Sequence, residues 1–322
     1  MPLELKVAGP LLASLRCPVC HAALAPDADH LVCRGECGTR YPVVGGVPVL
    51  INDERSIFSV GDFVQGRETY FRRTPPLHRI AGRILPSISY NFRGRHNYRC
   101  FLQSLPRREG RKPVVLVIGG GILGDGMEEV VNSPDVELLE TDIALAPRTQ
   151  LICDAHDIPL ADGSVDGVIA QAVLEHVVDP FRCVEEFDRV LAPGGVVYAE
   201  TPFMQQVHSG PYDFLRFSHL GHRRLFRRFS EIESGAVCGP GMALAWAYQY
   251  FLLSFARGPR TRAALLLWAR FTSFWLKYAD RLLISSAGAL DAASAYYFLG
   301  RKEGRELTDR ELVRLYRGAM PR

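Results

Sequence analysis

No sign of charge dominates this chain: 38 Lys and Arg stand against 35 Asp and Glu, leaving a formal net charge of +3. A balance that small removes the bulk electrostatic case for a nucleic-acid partner, so any such case rests on where the charges lie. The amino terminus, MPLELKVAGPLLASL, lacks the basic start and long apolar core of a secretory leader, and a cytoplasmic location is expected. Long apolar runs are missing too. Met242 to Ala256 is uncharged but only about fifteen residues long, short of the roughly twenty needed to span a bilayer. Eight cysteines are too unevenly placed for a disulfide framework, since four cluster early while Cys100, Cys153, Cys183 and Cys238 are scattered. Reduced thiols are expected. What is present, 48% hydrophobic and 23% charged residues over 322 positions, is the composition of a folded chain with room for one large domain and a small one.

The cysteine cluster carries chemistry. Cys17-Pro-Val-Cys20 and Cys33-Arg-Gly-Glu-Cys37 are separated by twelve residues. Two such knuckles present four thiolates to one ion, and a tetrahedral all-sulfur set suits zinc. With every position filled by protein, that zinc holds structure and leaves no open site for catalysis. It lets about fifty residues fold around a core too small to be stable alone. GTRYPVVGGVPVLIND then reads as two short strands about a Gly-Gly turn, and residues 1–54 are expected to form a zinc ribbon.

From Pro113 to Thr201 the chain alternates strand and helix. PVVLVIGGGILGDG joins a β-branched run to a glycine cluster, where Gly119, Gly121 and Gly124 remove side chains so that a ligand can approach backbone, with a helix start beyond. VELLETDI reads as a second strand ending at Glu140 and Asp142, and a third ends at Asp154 followed by Ala155. A fourth ends at Gln171. A helix from Pro180 with apolar Phe181, Val184, Phe187, Val190 and Leu191 leads through a Pro-Gly-Gly turn to a fifth strand. Polar residues at the carboxyl ends of parallel strands are where such sheets bind ligands. The same glycine spacing also suits a dinucleotide.

These segments together resemble a class I methyltransferase that uses S-adenosylmethionine. The likeness is carried by Gly119 through Asp142, Asp154-Ala155-His156-Asp157-Ile158-Pro159, Ser164-Val165-Asp166, Leu174-Glu175-His176-Val177 and Arg189-Val190-Leu191-Ala192-Pro193-Gly194-Gly195. The resemblance implies a Rossmann-like seven-stranded sheet with Gly119, Gly121 and Gly124 under the methionine end of the cofactor. It further implies Asp142 at the ribose, Asp154 and Ala155 at the adenine, and Gln171 beside the reacting centre. One departure is plain: the family carries an acid two positions before the first loop glycine, and Val117 stands there. The N-terminal module resembles zinc ribbons at the start of some bacterial methyltransferases and in a small activator subunit of tRNA and release-factor methyltransferases. A ribosomal-RNA guanine methyltransferase family combines a similar ribbon with a similar domain.

Around this domain, residues 55–112 form a basic linker with N-terminal helices, its arginines interleaved with Tyr70, Phe71, Tyr90, Phe92, Tyr98 and Phe101. That pattern fits either a packed face or a base-stacking one. The helix before the first strand is expected from Asn91 to Leu105. Residues 113–238 and 291–305 make the methyltransferase domain, with its last strands at Glu231 to Val237 and Ala295 to Arg301. Between these two strands, 239–290 reads as an apolar helical insertion, including one helix from Ala263 to Leu283, and 306–322 as a C-terminal helix. After strand five, His208 is the first candidate general base and His176 the second, while Tyr212, Asp213 and Arg216 are candidate substrate contacts. The leading function is methylation of a small-molecule or lipid-like acceptor. RNA base methylation and a non-catalytic scaffold are the alternatives. Peripheral membrane contact and a homodimer stay open as partners.

Overall fold

The computed structural model of the chain describes residues 4–7, 9–67, 69 and 85–320. Four N-terminal strands, β1 (Leu24–Asp27), β2 (His30–Cys33), β3 (Arg40–Val44) and β4 (Val47–Leu50), precede seven more. These are β5 (Val114–Ile118), β6 (Glu137–Asp142), β7 (Leu151–Cys153), β8 (Val165–Gln171), β9 (Leu191–Pro202), β10 (Phe229–Cys238) and β11 (Ala295–Lys302). All eleven join one sheet in the order β1-β2-β3-β4-β7-β6-β5-β8-β9-β11-β10. The last seven give the doubly wound pattern, parallel from β7 to β9, with β11 inserted antiparallel between β9 and β10. Strand order reverses between β5 and β8, which opens a crevice at their carboxyl ends.

The expected Rossmann-like pattern is present in β5 to β11, but the sheet as a whole has eleven strands in place of the expected seven. Strand β4 pairs parallel with β7 through Val49↔Ile152 and Leu50↔Cys153, so the ribbon continues the catalytic sheet. The physical cause is that β7 would otherwise present an open edge, and Val47–Leu50 is buried at every position. Ribbon residues Leu15, Cys17, Leu31 and Tyr41 share one core with Leu139, Leu151 and Leu160. The Gly-Gly turn is as expected: Gly45 and Gly46 have φ of 57° and 80°, the pair of left-handed residues a two-residue hairpin requires.

The helix before β5 runs over Gly94–Ser104 and buries Tyr98 and Phe101. The helix after β8 spans Pro180–Val190, begun by Asp179, whose side chain accepts from the Phe181 and Arg182 amides. It buries Val184, Phe187 and Val190, but Phe181 is 41% exposed instead of in the core and lies under the Arg224 guanidinium. Residues 239–294 separate β10 from β11, and the insertion begins with helix Pro240–Leu253. The single helix expected from Ala263 to Leu283 is broken into Pro259–Ser273, a tight 3-10 stretch Phe274–Ala279 and Asp280–Leu283. Asp280 explains the break: its carboxylate accepts from the Gly241 and Met242 amides at 2.7 and 3.0 Å, tying the chain back to the start of Pro240–Leu253. The C-terminal helix is Asp309–Arg314. Much of the expected arginine-rich stretch, including Tyr70, Phe71, Arg72, Arg73, Arg79 and Arg83, lies outside the described residues.

Candidate active site

The glycine loop is the first wall of the crevice. Gly119 has φ of 72°, and a Cβ there would lie 2.6 Å from Val173 Cγ2, so both conformation and space demand glycine. The chain does not enter a long helix directly, as the sequence suggested; the following helix is only Glu128–Val131. Order in the loop comes instead from Asp142, whose Oδ2 accepts from the Gly121 amide at 2.7 Å and whose Oδ1 accepts from Ala144 at 3.1 Å. Burial pushes the Asp142 carboxyl up against those backbone bonds.

Two cavities meet at this loop. The smaller is lined by Ile57, Phe58, Gly119, Asp142, Asp154, Ala155 and His176. Burial pushes the Asp154 carboxyl up, but hydrogen bonds from His156 at 2.5 Å and Ser56 at 2.5 Å outweigh it and hold it below the usual range. The larger cavity, about 340 Å³, is lined by Val117, Gly119, Gly124, Asp125, Gln171, Glu175, Glu200 and His208. Ala172 touches both cavities and holds φ of 53°, an uncommon conformation for a residue with a Cβ. Of the expected cofactor residues, Gly119, Asp142, Asp154 and Ala155 border the smaller space, Gly124 and Gln171 the larger, and Gly121 acts through Asp142.

Three groups on these walls were not singled out from the sequence. Glu200 lies on β9 and accepts from Gln171 Nε2 at 2.8 Å, from Asn91 Nδ2 at 3.1 Å and from the Tyr198 hydroxyl. Burial raises its pKa. Tyr98 completes the chain by donating to Gln171 Oε1 at 2.8 Å. A charge at the end of an otherwise apolar strand, VVYAE, was the available signal. Ile57 and Phe58, from the segment leaving the ribbon, gave none.

Glu175 and His208, from the larger cavity, meet His176, from the smaller, with one ligand atom of each within 4.8 Å of the others. Glu175 is 1% exposed, and neither carboxylate oxygen has a hydrogen-bond partner among the described residues. Burial raises its pKa to about 8 and lowers that of His176 to about 4. The histidine rings stand edge to face, 5.2 Å apart. The expected substrate residues serve the loop that carries His208. Asp213 pairs with Arg216 and accepts from the His208 amide at 2.9 Å, and the Arg216 bond outweighs burial to hold Asp213 at about 2. The Tyr212 ring stacks on Phe58 at 5.7 Å. None of these three lines the larger cavity.

The four ribbon thiols converge as the spacing required. Their sulfurs lie 3.3 Å (Cys20 to Cys33), 3.4 Å (Cys20 to Cys37) and 3.6 Å (Cys17 to Cys37) apart. A zinc at ~2.3 Å from each sulfur sets tetrahedral edges of about 3.8 Å, so the set fits the ion with a few tenths of an ångström of relaxation. Gly35 donates its amide to Cys33 Sγ at 3.3 Å, and Thr39 donates to Cys37 Sγ at 3.3 Å.

Comparison with known proteins agrees with the crevice. Residues 127–199 match the family described as a methyltransferase domain. An uncharacterised methyltransferase of Mycobacterium tuberculosis is 46% identical over 72 residues, 22% of this chain and 29% of its own length. An uncharacterised protein encoded in a Streptomyces fradiae transposon is 32% identical over 154 residues, 40% of this chain and 44% of its own. The chain thus spans less than half the length of these relatives. Among solved structures, a Haloferax volcanii methyltransferase complex with its activator aligns over 65% of this chain and 90% of that one, with 19% identity and a TM-score of 0.41. The fold assignment rests on the strand order and not on that alignment.

Proposed function

We propose that this chain, which carries a class I methyltransferase domain, binds S-adenosylmethionine across the two joined cavities and methylates a small-molecule or lipid-like acceptor in the larger one. The observation that carries the reading is the placement of Asp142, Asp154 and Gln171 at three successive strand ends around the shared wall of Gly119 and Ala172. When bound, S-adenosylmethionine supplies a methyl group on a positively charged sulfur. Asp142 offers carboxylate lone pairs to ribose hydroxyls, Asp154 and Ala155 border the adenine, and Ile57 and Phe58 give that ring an apolar cover. Gln171, held by Tyr98 and Glu200, orients the reacting end. The acceptor forms its new bond to the methyl carbon as the carbon–sulfur bond breaks with its pair left on sulfur, and the acceptor's proton departs. His208, on the larger cavity, and His176, on the smaller, are the candidate bases for that proton. Alignment of the two reactants supplies most of the acceleration. The four thiolates are assigned to a structural zinc.

Calorimetry with the zinc-loaded protein tests this directly: one site for S-adenosylhomocysteine, the demethylated product, is expected with a micromolar dissociation constant. Absence of heat up to ~1 mM ligand removes the reading in favour of a non-catalytic scaffold.

A lipid-like acceptor is favoured by the insertion. Between Glu233 and Asp280 the chain has five cations (Arg257, Arg260, Arg262, Arg270, Lys277) and no acid. The same segment exposes Phe251, Phe255, Trp268, Phe271 and Trp275, each more than half accessible. Among the described residues no helix is long and apolar enough to cross a membrane, but a surface of this kind suits the headgroup region of an anionic bilayer. Replacing Trp268 and Trp275 together by serine is expected to cut flotation with vesicles containing about one-third phosphatidylglycerol at least tenfold. Flotation unchanged in the double variant removes the membrane reading. RNA finds less support, since Arg99 pairs with Glu129, and Arg108 and Arg111 pair with Asp166.

A further inference from the structure

The corner formed by Glu175, His176 and His208 has an arrangement that a proton-accepting role for the histidines leaves unexplained. Each histidine turns Nδ1 toward a backbone carbonyl: His176 to Tyr212 O at 2.8 Å and His208 to Gln206 O at 3.1 Å. A carbonyl oxygen can only accept, so Nδ1 carries the proton in both rings and Nε2 is the lone-pair nitrogen. His176 Nε2 then lies 3.5 Å from Glu175 Oε1, an electron pair facing a carboxyl oxygen. The Ser209 hydroxyl reaches the same nitrogen at 3.4 Å. Glu175 is buried with both oxygens unpartnered among the described residues, a state that costs on the order of 1–3 kcal/mol or more unless some group satisfies it.

Three convergent electron-pair donors of this kind can be satisfied together by one cation. We propose that Glu175, His176 and His208 bind a divalent first-row cation, such as Mn2+ or Zn2+, where the two cavities adjoin. Three features support it together. The donor atoms already lie within 4.8 Å of one another, so closing around an ion needs small side-chain rotations. Both rings hold the tautomer that metal-ligating histidines adopt, with the remote N–H fixed by a carbonyl. Two histidines and one carboxylate would fill only three coordination positions, which is the pattern of a reactive metal centre and the opposite of the closed thiolate set in the ribbon. The inference rests on the methyltransferase reading for the meaning of the cavity and narrows its acceptor. A cation here draws an oxygen-bearing acceptor, a hydroxyl or enol, and favours loss of its proton. His208 and His176 then act as ligands in place of the general base expected from the sequence.

Manganese separates this site from the ribbon, because Mn2+ prefers oxygen and nitrogen donors while the four thiolates select a softer ion. Protein brought to one zinc per chain, so that the ribbon is filled and this site is not, then titrated with Mn2+ and followed by electron paramagnetic resonance, is expected to show one bound Mn2+ per chain. In Glu175→Gln and His208→Ala the Mn2+ affinity is expected to fall at least about tenfold. Should the buried Glu175→Gln variant fail to fold, the exposed His208→Ala variant still decides the question. S-adenosylhomocysteine calorimetry on the same samples keeps two failures apart. No Mn2+ binding, or equal binding in the variants, with the cofactor site intact overturns the cation site alone. Loss of S-adenosylhomocysteine binding in the parent protein overturns the methyltransferase reading beneath it.

Discussion

Replacing Cys33 by serine lowers the melting temperature by at least about 10 °C and abolishes S-adenosylhomocysteine binding at micromolar concentrations. Zinc in small ribbons contributes ~10–16 kcal/mol of apparent binding free energy that is also folding free energy, so losing one thiolate forfeits several kcal/mol. At ~2–4 °C per kcal/mol for a domain of about 150–250 residues, a loss of about 5 kcal/mol gives a shift of at least about 10 °C. The effect on the cofactor, some distance from the metal, follows from continuity of the sheet. The ribbon's last strand, β4, covers the β7 edge, and the segment after it delivers Ser56 to Asp154 and places Ile57 and Phe58 on the smaller cavity. Chelation of the metal from the wild-type protein produces the same two losses. The measurements are metal content, a thermal melt and calorimetry. A Cys33→Ser protein that keeps its zinc and melts within 2 °C of wild type sinks the structural-zinc assignment. One that loses zinc yet binds the ligand normally shows that the ribbon does not support the pocket.

Asp142→Ala is expected to weaken S-adenosylhomocysteine binding about a hundredfold, close to 2.7 kcal/mol at the usual conversion. Two losses add. The carboxylate fixes the glycine loop through the Gly121 and Ala144 amides, and in the bound state its remaining lone pairs accept ribose hydroxyls. Hydrogen bonds to charged groups contribute ~1.5–3 kcal/mol each, so the estimate corresponds to one or two of them. Asp142→Asn separates the contributions, since its amide oxygen can still accept from Gly121 while the charge is gone, and it should fall between wild type and Asp142→Ala. Glu140, two residues earlier on the same strand, is the control. Its carboxylate is paired with Arg148 at 2.8 and 2.7 Å and lines neither cavity, so Glu140→Gln should leave affinity within about twofold. Equal effects at 140 and 142 would remove Asp142 from the ribose role.

The placement of Asp142, Asp154 and Gln171 was legible because strand ends are marked locally, by a β-branched run that stops at a polar residue. Val117 was legible only as a gap. It lines the larger cavity without charge, and one of the carboxylates on that cavity comes from Glu200, two strands away across β8. No spacing rule connects positions 117 and 200; their proximity is set by strand order. The break at Phe274–Ala279 was hidden for a similar reason, since it depends on Asp280 reaching back to amides some forty residues earlier. Helical periodicity from Ala263 to Leu283 is blind to such a tie.

By itself the sequence determined the alternation of strand and helix, the four-thiolate set and the acids at the ends of β6 and β7. Each of these is written in short-range spacing that local backbone geometry reads directly. Tertiary structure alone decided that the ribbon extends the catalytic sheet, that Glu200 faces the cavity, and that Glu175 and His176 meet His208 across a gap of more than thirty residues. Those outcomes depend on which strand edges find partners and how a long loop folds back, and both are set by burial and pairing between distant segments.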